Sequence, residues 1–286
     1  MKEIVVLSGK GGTGKTSIVG CFAALAHNIV LCDCDVDAAD LHLLLDPAIK
    51  QENEFRSGQT AHIDAQKCTQ CGLCGDLCRF DAIADFTVDP SFCEGCGFCF
   101  HICPEEAITM EENLAGHWFV SDTKYGPLVH ARLGIAEENS GKLVTLVRKE
   151  AWRIGEERKL DYVITDGPPG IGCPVISSLS GASVALIVTE PTLSGIHDLE
   201  RVVGVCEHFK IPAMVCINKY DINEENSDKI EAMCNHMNAA VVARIPYDNI
   251  ITKALIHGLP VIEYSSGGVV EQIRAMWETI SRKLAA

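Results

Sequence analysis

A chain of 286 residues, 47% hydrophobic and 22% charged, has room for one large α/β core together with a small second unit. Its formal charge of −15 argues against nucleic acid as a partner, because phosphate binding needs a basic face, and no apolar run approaches the ~18 residues needed to span a bilayer. Fifteen cysteines, with no secretory apolar segment ahead of the first strand, lead to the expectation of a cytoplasmic protein whose thiolates bind metal, not of a disulfide framework.

The apolar run Ile4-Val5-Val6-Leu7 predicts a buried strand, and Ser17 to Ala26 predicts a buried helix. Between them Gly9, Lys10, Gly11, Gly12, Thr13, Gly14, Lys15 and Thr16 form a G-x-x-x-x-G-K-T loop, with Ser17 at the helix start. Glycines let successive backbone N–H groups turn inward on a phosphate chain, and the helix N-terminus adds its partial positive charge. Lys15 is expected along the β- and γ-phosphates and the Thr16 hydroxyl on Mg²⁺. The early lysine makes the loop K-G-G-T-G-K-T, which resembles the deviant Walker motif of the MinD, ParA and nitrogenase-iron-protein group of dimeric ATPases. That resemblance implies that Lys10 crosses a nucleotide sandwich dimer to the partner's phosphates; a solvated loop lysine is the plain alternative.

Asn28 to Asp33 predicts a second buried strand that delivers Asp33, Asp35, Asp37 and Asp40 to its carboxyl end, where ligands bind in open α/β sheets. Cys32 to Asp37 resembles switch I of the same family, which implies that Asp35 positions or activates the attacking water. An acidic loop capping a helix from near Ala38 is the competing explanation.

From about Ala61 the composition changes, and a repeat of period 25 sets Cys68, Cys71, Cys74 and Cys78 against Cys93, Cys96, Cys99 and Cys103. Each set is C-x₂-C-x₂-C-x₃-C, the spacing of bacterial two-cluster ferredoxins. In that scheme Cys68, Cys71, Cys74 and Cys103 hold one [4Fe–4S] cluster, and Cys93, Cys96, Cys99 and Cys78 hold the second. Zinc also suits C-x₂-C pairs, but two identical sets of four weigh against it. Pro104 follows the second set, whereas Arg79 stands where the first should have proline, so the two clusters are not expected to be equivalent. Residues 61–113 carry ten Asp or Glu against two Lys or Arg, so a docking partner is expected to present a cationic face.

Trp118 to Val120 and Leu128 to Leu133 read as strands, Gly141 to Arg153 as a helix, and Ala136 to Gly141 as a loop beside the nucleotide face. His130 and Arg132 are read as structural. Leu160 to Asp166 is an apolar strand ending in aspartate, so Asp166 reads as a Walker B ligand of Mg²⁺. The following D-G-P-P-G resembles switch II in the iron–sulfur-carrier branch of the family. Gly170 would place a backbone N–H near the γ-phosphate and let the loop move on hydrolysis. Cys173 stands where nitrogenase-iron-protein relatives carry a ligand of an intersubunit cluster, so it is a candidate interface residue or transient cluster ligand. Cys21, Cys32, Cys34, Cys206, Cys216 and Cys234 lie in apolar patterns and are read as core.

Ala182 to Thr189 and Ile211 to Ile217 predict further strands, with an amphipathic helix from Ser194 to Phe209 between them. In relatives the asparagine at the Asn218 position reads the adenine edge, and a proline loop like that at Pro246 packs beside the base. These matches imply ATP as the nucleotide. Val270, Ile273, Trp277, Ile280 and Leu284 form a C-terminal helical stripe, which is expected to pack on the sheet and not to bind a membrane, because its polar face has too few basic residues.

The expected architecture is α/β: a doubly wound, mostly parallel P-loop NTPase sheet of SIMIBI type from residues 1–60 and 114–286, with an inserted α+β bacterial ferredoxin-like domain at 61–113. The resemblance implies ATP, Mg²⁺ and two [4Fe–4S] clusters as cofactors, and a homodimer or a heterodimer with a paralogous ATPase. Two functions fit. In the first, ATP hydrolysis is coupled to electron transfer or to iron–sulfur or metallocofactor assembly on a client protein. In the alternative, a positioning or scaffold ATPase carries structural or redox-sensing clusters.

Overall fold

In the computed structural model, which describes residues 1–134 and 140–285, the apolar runs become strands whose alternate residues face opposite sides of one sheet. In chain order the elements are β1 (Lys2–Ser8), α1 (Lys15–Leu25), β2 (Ile29–Asp33), α2 (Leu41–Leu45), β3 (Ala48–Ile63), α3 (Leu73–Asp76), β4 (Ile83–Ala84), β5 (Thr87–Val88), α4 (Phe98–Ile102), β6 (Ile108–Thr123), β7 (Gly126–Leu133) and α5 (Ser140–Arg158). They continue with β8 (Tyr162–Pro169), α6 (Cys173–Leu179), β9 (Val184–Thr189), α7 (Leu193–His208), β10 (Ala213–Asn218), α8 (Glu224–His236), β11 (Ala240–Ile245), α9 (Asn249–Ile256), α10 (Val261–Tyr264) and α11 (Gly268–Ala285). The expected loop at 136–141 falls largely on residues 135–139, outside the described residues, and Ser140 and Gly141 already belong to α5.

The sheet order is β11-β10-β9-β1-β8-β2-β7-β6-β3. β1 pairs in parallel with β8 and β9, β2 with β8 and β7, and β10 with β9 and β11. The chain crosses over β1 in passing from β8 to β9, so the strand order reverses there and the carboxyl end of β1 faces a crevice.

Period-two side-chain alternation divides the core into two layers. Ile4 and Val6 of β1 join Ile18 and Phe22 of α1 and Ile273, Met276 and Ile280 of α11 on one face. Val5 and Leu7 join Val175 and Leu179 of α6, with α7 and α8, on the other. Trp277 packs its ring 5.1 Å from that of Phe22, so the C-terminal stripe closes the core. No described helix is long and apolar enough to cross a membrane.

The chain divides into two compact units, a larger one of Met1–Glu52, Trp118–Arg132 and the chain from Ser140 onward, and a smaller one chiefly of Asn53–His117. The boundaries fall inside β3 and β6, because a hydrogen-bonded strand continues past the point where its packing partners change. Composition shifts only at Ala61, where the cysteine pattern begins. Within the smaller unit β4 and β5 pair antiparallel, Ile83 opposite Val88, and each short cysteine-bearing helix starts after a left-handed glycine, Gly72 (φ 81°) or Gly97 (φ 71°).

Glu3 of β1 is wholly buried. Its carboxylate accepts from Arg148 Nε at 3.0 Å and Nη2 at 2.5 Å, from Trp152 Nε1 at 2.9 Å and from Thr165 Oγ1 at 2.8 Å. Arg148 also donates to the carbonyls of Ser177 and Ser180 at the end of α6. One charge pair therefore joins β1, β8, α5 and α6. Removing one member of such a pair leaves the other desolvated and alone, so Glu3→Gln is expected to lower stability by roughly 3–5 kcal/mol. Urea denaturation measures this, and a loss below about 1 kcal/mol would show the pair to be energetically neutral.

Candidate functional site

The loop from Ser8 to Lys15 opens the crevice at the end of β1. Gly12 (φ 80°) and Gly14 (φ 92°) are left-handed, and a Cβ placed on Gly11 or Gly12 would meet nothing within 4 Å. Their backbone therefore borders open space, as a phosphate cradle requires. A Cβ on Gly14 would lie 2.5 Å from Asn218 Nδ2, and one on Gly9 would lie 2.2 Å from Asp198 Cβ. Thr13 is buried and its hydroxyl has no hydrogen-bond partner among the described residues. α1 carries no acidic residue in its first turn, so its N-terminal dipole is left free for an anion.

Lys15 lies at the centre of the charge balance. Its Nζ is 2.6 Å from Asp166 Oδ1 and 3.3 Å from Asp35 Oδ2, with the side chain only 7% exposed. Burial works against its charge, but Asp166 and then Asp35 outweigh that effect and raise its pKa above the usual lysine value. Asp33 is wholly buried. Burial, followed by the charge of Asp166, pushes its carboxyl well above the ordinary range. Burial also raises Asp35, against the opposing pull of Lys15. Two carboxylates, Asp166 and Asp35, face one ammonium, an arrangement that suits a divalent cation at the half-buried Thr16 and at Asp166. Asp37 and Asp40 are exposed. α2 starts at Leu41, not near Ala38, and the Asp40 side chain does not cap it. Asp33 Oδ2 accepts the Leu41 N–H instead, at 3.3 Å.

Gly170 (φ 90°) donates its N–H to Ser8 O at 2.9 Å, so presenting that group to a γ-phosphate requires the loop to release Ser8. Lys10 is tethered within its own chain: its Nζ is 3.3 Å from Glu190 Oε2, 3.3 Å from Thr192 Oγ1 and 3.4 Å from Ser194 Oγ. Glu190 also pairs with Lys219, whose Nζ reaches Gly12 O at 3.4 Å. Sequence reasoning missed Glu190, although its place at the carboxyl end of an apolar strand was a usable signal. Asn218, expected at the adenine, is buried. It donates from Nδ2 to Thr13 O at 2.7 Å and accepts from Lys219 N at 3.0 Å, and so braces the phosphate loop. Pro246 is half-buried ahead of Tyr247, whose N–H donates to Asp221 Oδ1 at 2.6 Å. His130 is a packing residue: it stacks on Phe119 and His42 and shares a 3.1 Å hydrogen bond with Ser121. Burial lowers its pKa to about 4.

In the smaller unit, one cavity is walled by Cys68, Cys71, Cys74 and Cys103. A second, of about 360 Å³, is walled by Cys74, Cys78, Cys93, Cys96 and Cys99. The first cavity thus collects three cysteines of one set and the fourth of the other, and the second collects three of the other set with Cys78 and Cys74, so that Cys74 lines both. Cys68 Sγ accepts the Gln70 N–H and Cys103 Sγ accepts the Ala107 N–H, both at 3.4 Å. Burial raises the thiol pKa values of Cys74 and Cys99. Among the described residues no three His, Cys, Asp or Glu side chains converge as ligands of a single metal ion. The thiols surround space and do not meet at a point. Arg79 borders the larger cavity. Cys173 is exposed at the start of α6, where its Cβ abuts Gly141, whereas the other six cysteines are buried as expected.

Residues 4–261 match the family described as the CobQ/CobB/MinD/ParA nucleotide binding domain. An uncharacterized protein of Methanocaldococcus jannaschii is 33% identical over 97% of this chain and 96% of its own length. A second from that organism is 27% identical over 93% of each. Among solved structures, the septum site-determining protein MinD of Pyrococcus horikoshii complexed with Mg-ADP has a TM-score of 0.62 at 18% identity, covering 100% of this chain and 97% of that one.

Because Lys15 and Asp35 are paired yet chemically distinct, their variants should separate. Lys15→Ala is expected to lose ATP binding, while Asp35→Asn keeps binding and loses turnover at least tenfold. Nucleotide titration and phosphate release measure the two, and undiminished turnover in Asp35→Asn would remove Asp35 from the chemistry.

Proposed function

The chain belongs to the CobQ/CobB/MinD/ParA nucleotide-binding family, whose MinD and ParA members are ATPases, and from that premise we propose that it is an Mg–ATP-hydrolysing switch whose association with itself or a paralogue depends on nucleotide state. The observation that carries this reading is Lys15 held by Asp166 and Asp35 beneath an open glycine cradle. When ATP enters, Lys15 exchanges carboxylate partners for phosphate oxygens. Thr16 and Asp166 would hold Mg²⁺, which neutralises phosphate charge. Asp35, released from Lys15, accepts a hydrogen bond from water and orients it for in-line attack. Gly170 gives up Ser8 as its N–H turns to the phosphate, and that exchange moves switch II. Asn218 and Pro246 flank the base.

Lys10 completes the switch by leaving Glu190 for the phosphates of a second subunit. ATP added to Asp35→Asn protein is therefore expected to raise the scattering mass from monomer to dimer, and Lys10→Ala to weaken the dimer while monomer binding persists. A single nucleotide-independent mass for both proteins would contradict the switch.

The gathering of eight cysteines around two cavities, with Cys103 in the first and Cys78 in the second, supports a further element of the reading: residues 61–113 as a ferredoxin-like unit holding two [4Fe–4S] clusters. Cys68, Cys71, Cys74 and Cys103 would hold one, and Cys93, Cys96, Cys99 and Cys78 the other. The N–H groups that donate to the Cys68 and Cys103 sulfurs would orient them as cluster ligands. Such clusters supply one-electron chemistry. Family membership supports a positioning or scaffold ATPase with structural or redox-sensing clusters better than it supports electron delivery or cofactor assembly on a client. The exposed Cys173 thiol is the feature that keeps the delivery reading testable. Anaerobically purified protein should contain about eight iron and about eight sulfide per chain, whatever its ATPase rate. Stoichiometric zinc without sulfide would defeat the assignment.

A further inference from the structure

We propose that Asp33 is a positioning residue for ATP hydrolysis, clamping both ends of the switch I loop so that Asp35 is held at the reacting phosphate. The inference rests on the reading of Asp35 as the group that orients water. Asp33 is the last residue of β2, and its backbone is locked by the sheet: it lies opposite Asp166 in the parallel register, and the next N–H, of Cys34, donates to Asp166 O at 2.8 Å. Beyond this point the chain leaves the sheet. Asp33 Oδ1 accepts the Asp35 N–H at 3.1 Å, and Oδ2 accepts the Leu41 N–H at 3.3 Å. The two oxygens of one carboxylate thus tie the first residue of the loop and the first residue of α2 to the same rigid strand end.

Each end matters for a different reason. The bond to Asp35 fixes its backbone but leaves its carboxylate free to exchange Lys15 for water. The bond to Leu41 fixes where the loop returns, because Leu41 is wholly buried and belongs to the same core cluster as Ile18 and Phe22 of α1, the helix that carries Lys15. Without it, the bonds that still hold the 35–40 segment among the described residues gather at Asp35, through its N–H to Asp33 and its carboxylate to Lys15, with short-range bonds such as Ala38 N to Asp35 O at 3.0 Å. Simple loop closure does not explain a carboxylate here. Burying one beside Asp166 is costly, and a neutral serine or asparagine serves most turns. Two N–H groups arriving at two oxygens do need it. Asparagine offers one acceptor and turns a donor toward the second N–H.

The test is a double-mutant cycle on the full chain. Asp33→Asn should lower kcat about tenfold to a hundredfold, the range a displacement near 1 Å produces, while the dissociation constant for Mg–ATP changes less than about twofold. If Asp33 acts through Asp35, the Asp33→Asn/Asp35→Asn protein should be no slower than Asp35→Asn alone. Multiplicative losses in the double variant, unchanged kcat in Asp33→Asn, or loss of ATP binding in Asp33→Asn would each overturn the proposal. Full turnover in Asp35→Asn would instead overturn the reading on which it rests, so the two failures are distinguishable. Asp33→Glu, whose longer side chain carries the charge but cannot meet both N–H groups from the same strand end, should not restore kcat; restoration would assign the effect to charge and overturn the clamp.

Discussion

A buried ammonium among carboxylates is the constraint from which the rest of the nucleotide site follows. Lys15 sits where three parallel strand ends and one helix N-terminus converge, and the protein balances it with Asp166 and Asp35 at 2.6 and 3.3 Å. A lysine so placed is held charged and aimed before any phosphate arrives. The arrangement also carries a carboxylate surplus in its resting form, since Asp166 and Asp35 face a single ammonium. On the proposed reading, incoming phosphate and a divalent cation relieve that surplus, and binding is coupled to rearrangement of the loops.

The sheet makes this convergence possible. β1, β2 and β8 are buried on both faces, so their apolar runs are continuous and their carboxyl ends are fixed by helices on either side. The Glu3–Arg148 network anchors the other end of β1 to α5 and α6. Movement is thus confined to the loops: the glycines of the cradle, the segment from Asp35 to Asp40, and the turn after Asp166. Gly170 and Lys10 both hold in-chain partners, Ser8 O and Glu190, that must be surrendered for the roles their motifs imply. The switch proposed above would thus rest on competing hydrogen bonds.

The smaller unit is organised differently. It has little continuous apolar sequence and leaves Phe92, Phe98 and Leu77 exposed. Its cysteines crowd around cavities that no side chain fills. A unit of this size with so small a core has little apolar burial of its own to stabilise it.

Much of the nucleotide site was legible in the amino-acid sequence because its chemistry is local. A glycine loop between an apolar strand and an apolar helix, and a strand ending in Asp166, specify their conformations within a few residues. The two cysteine sets are equally local. Tertiary structure alone decided what crosses between segments far apart in the chain. It decided that Asn218 braces Thr13, that Glu190 holds Lys10 and Lys219, and that Asp33, not Asp40, receives the start of α2. The physical reason is that a side chain's conformation is set by neighbours a few residues away, but its partner is set by which strand ends the sheet order brings together. That order arises from burying two apolar faces at once, a property of the whole chain.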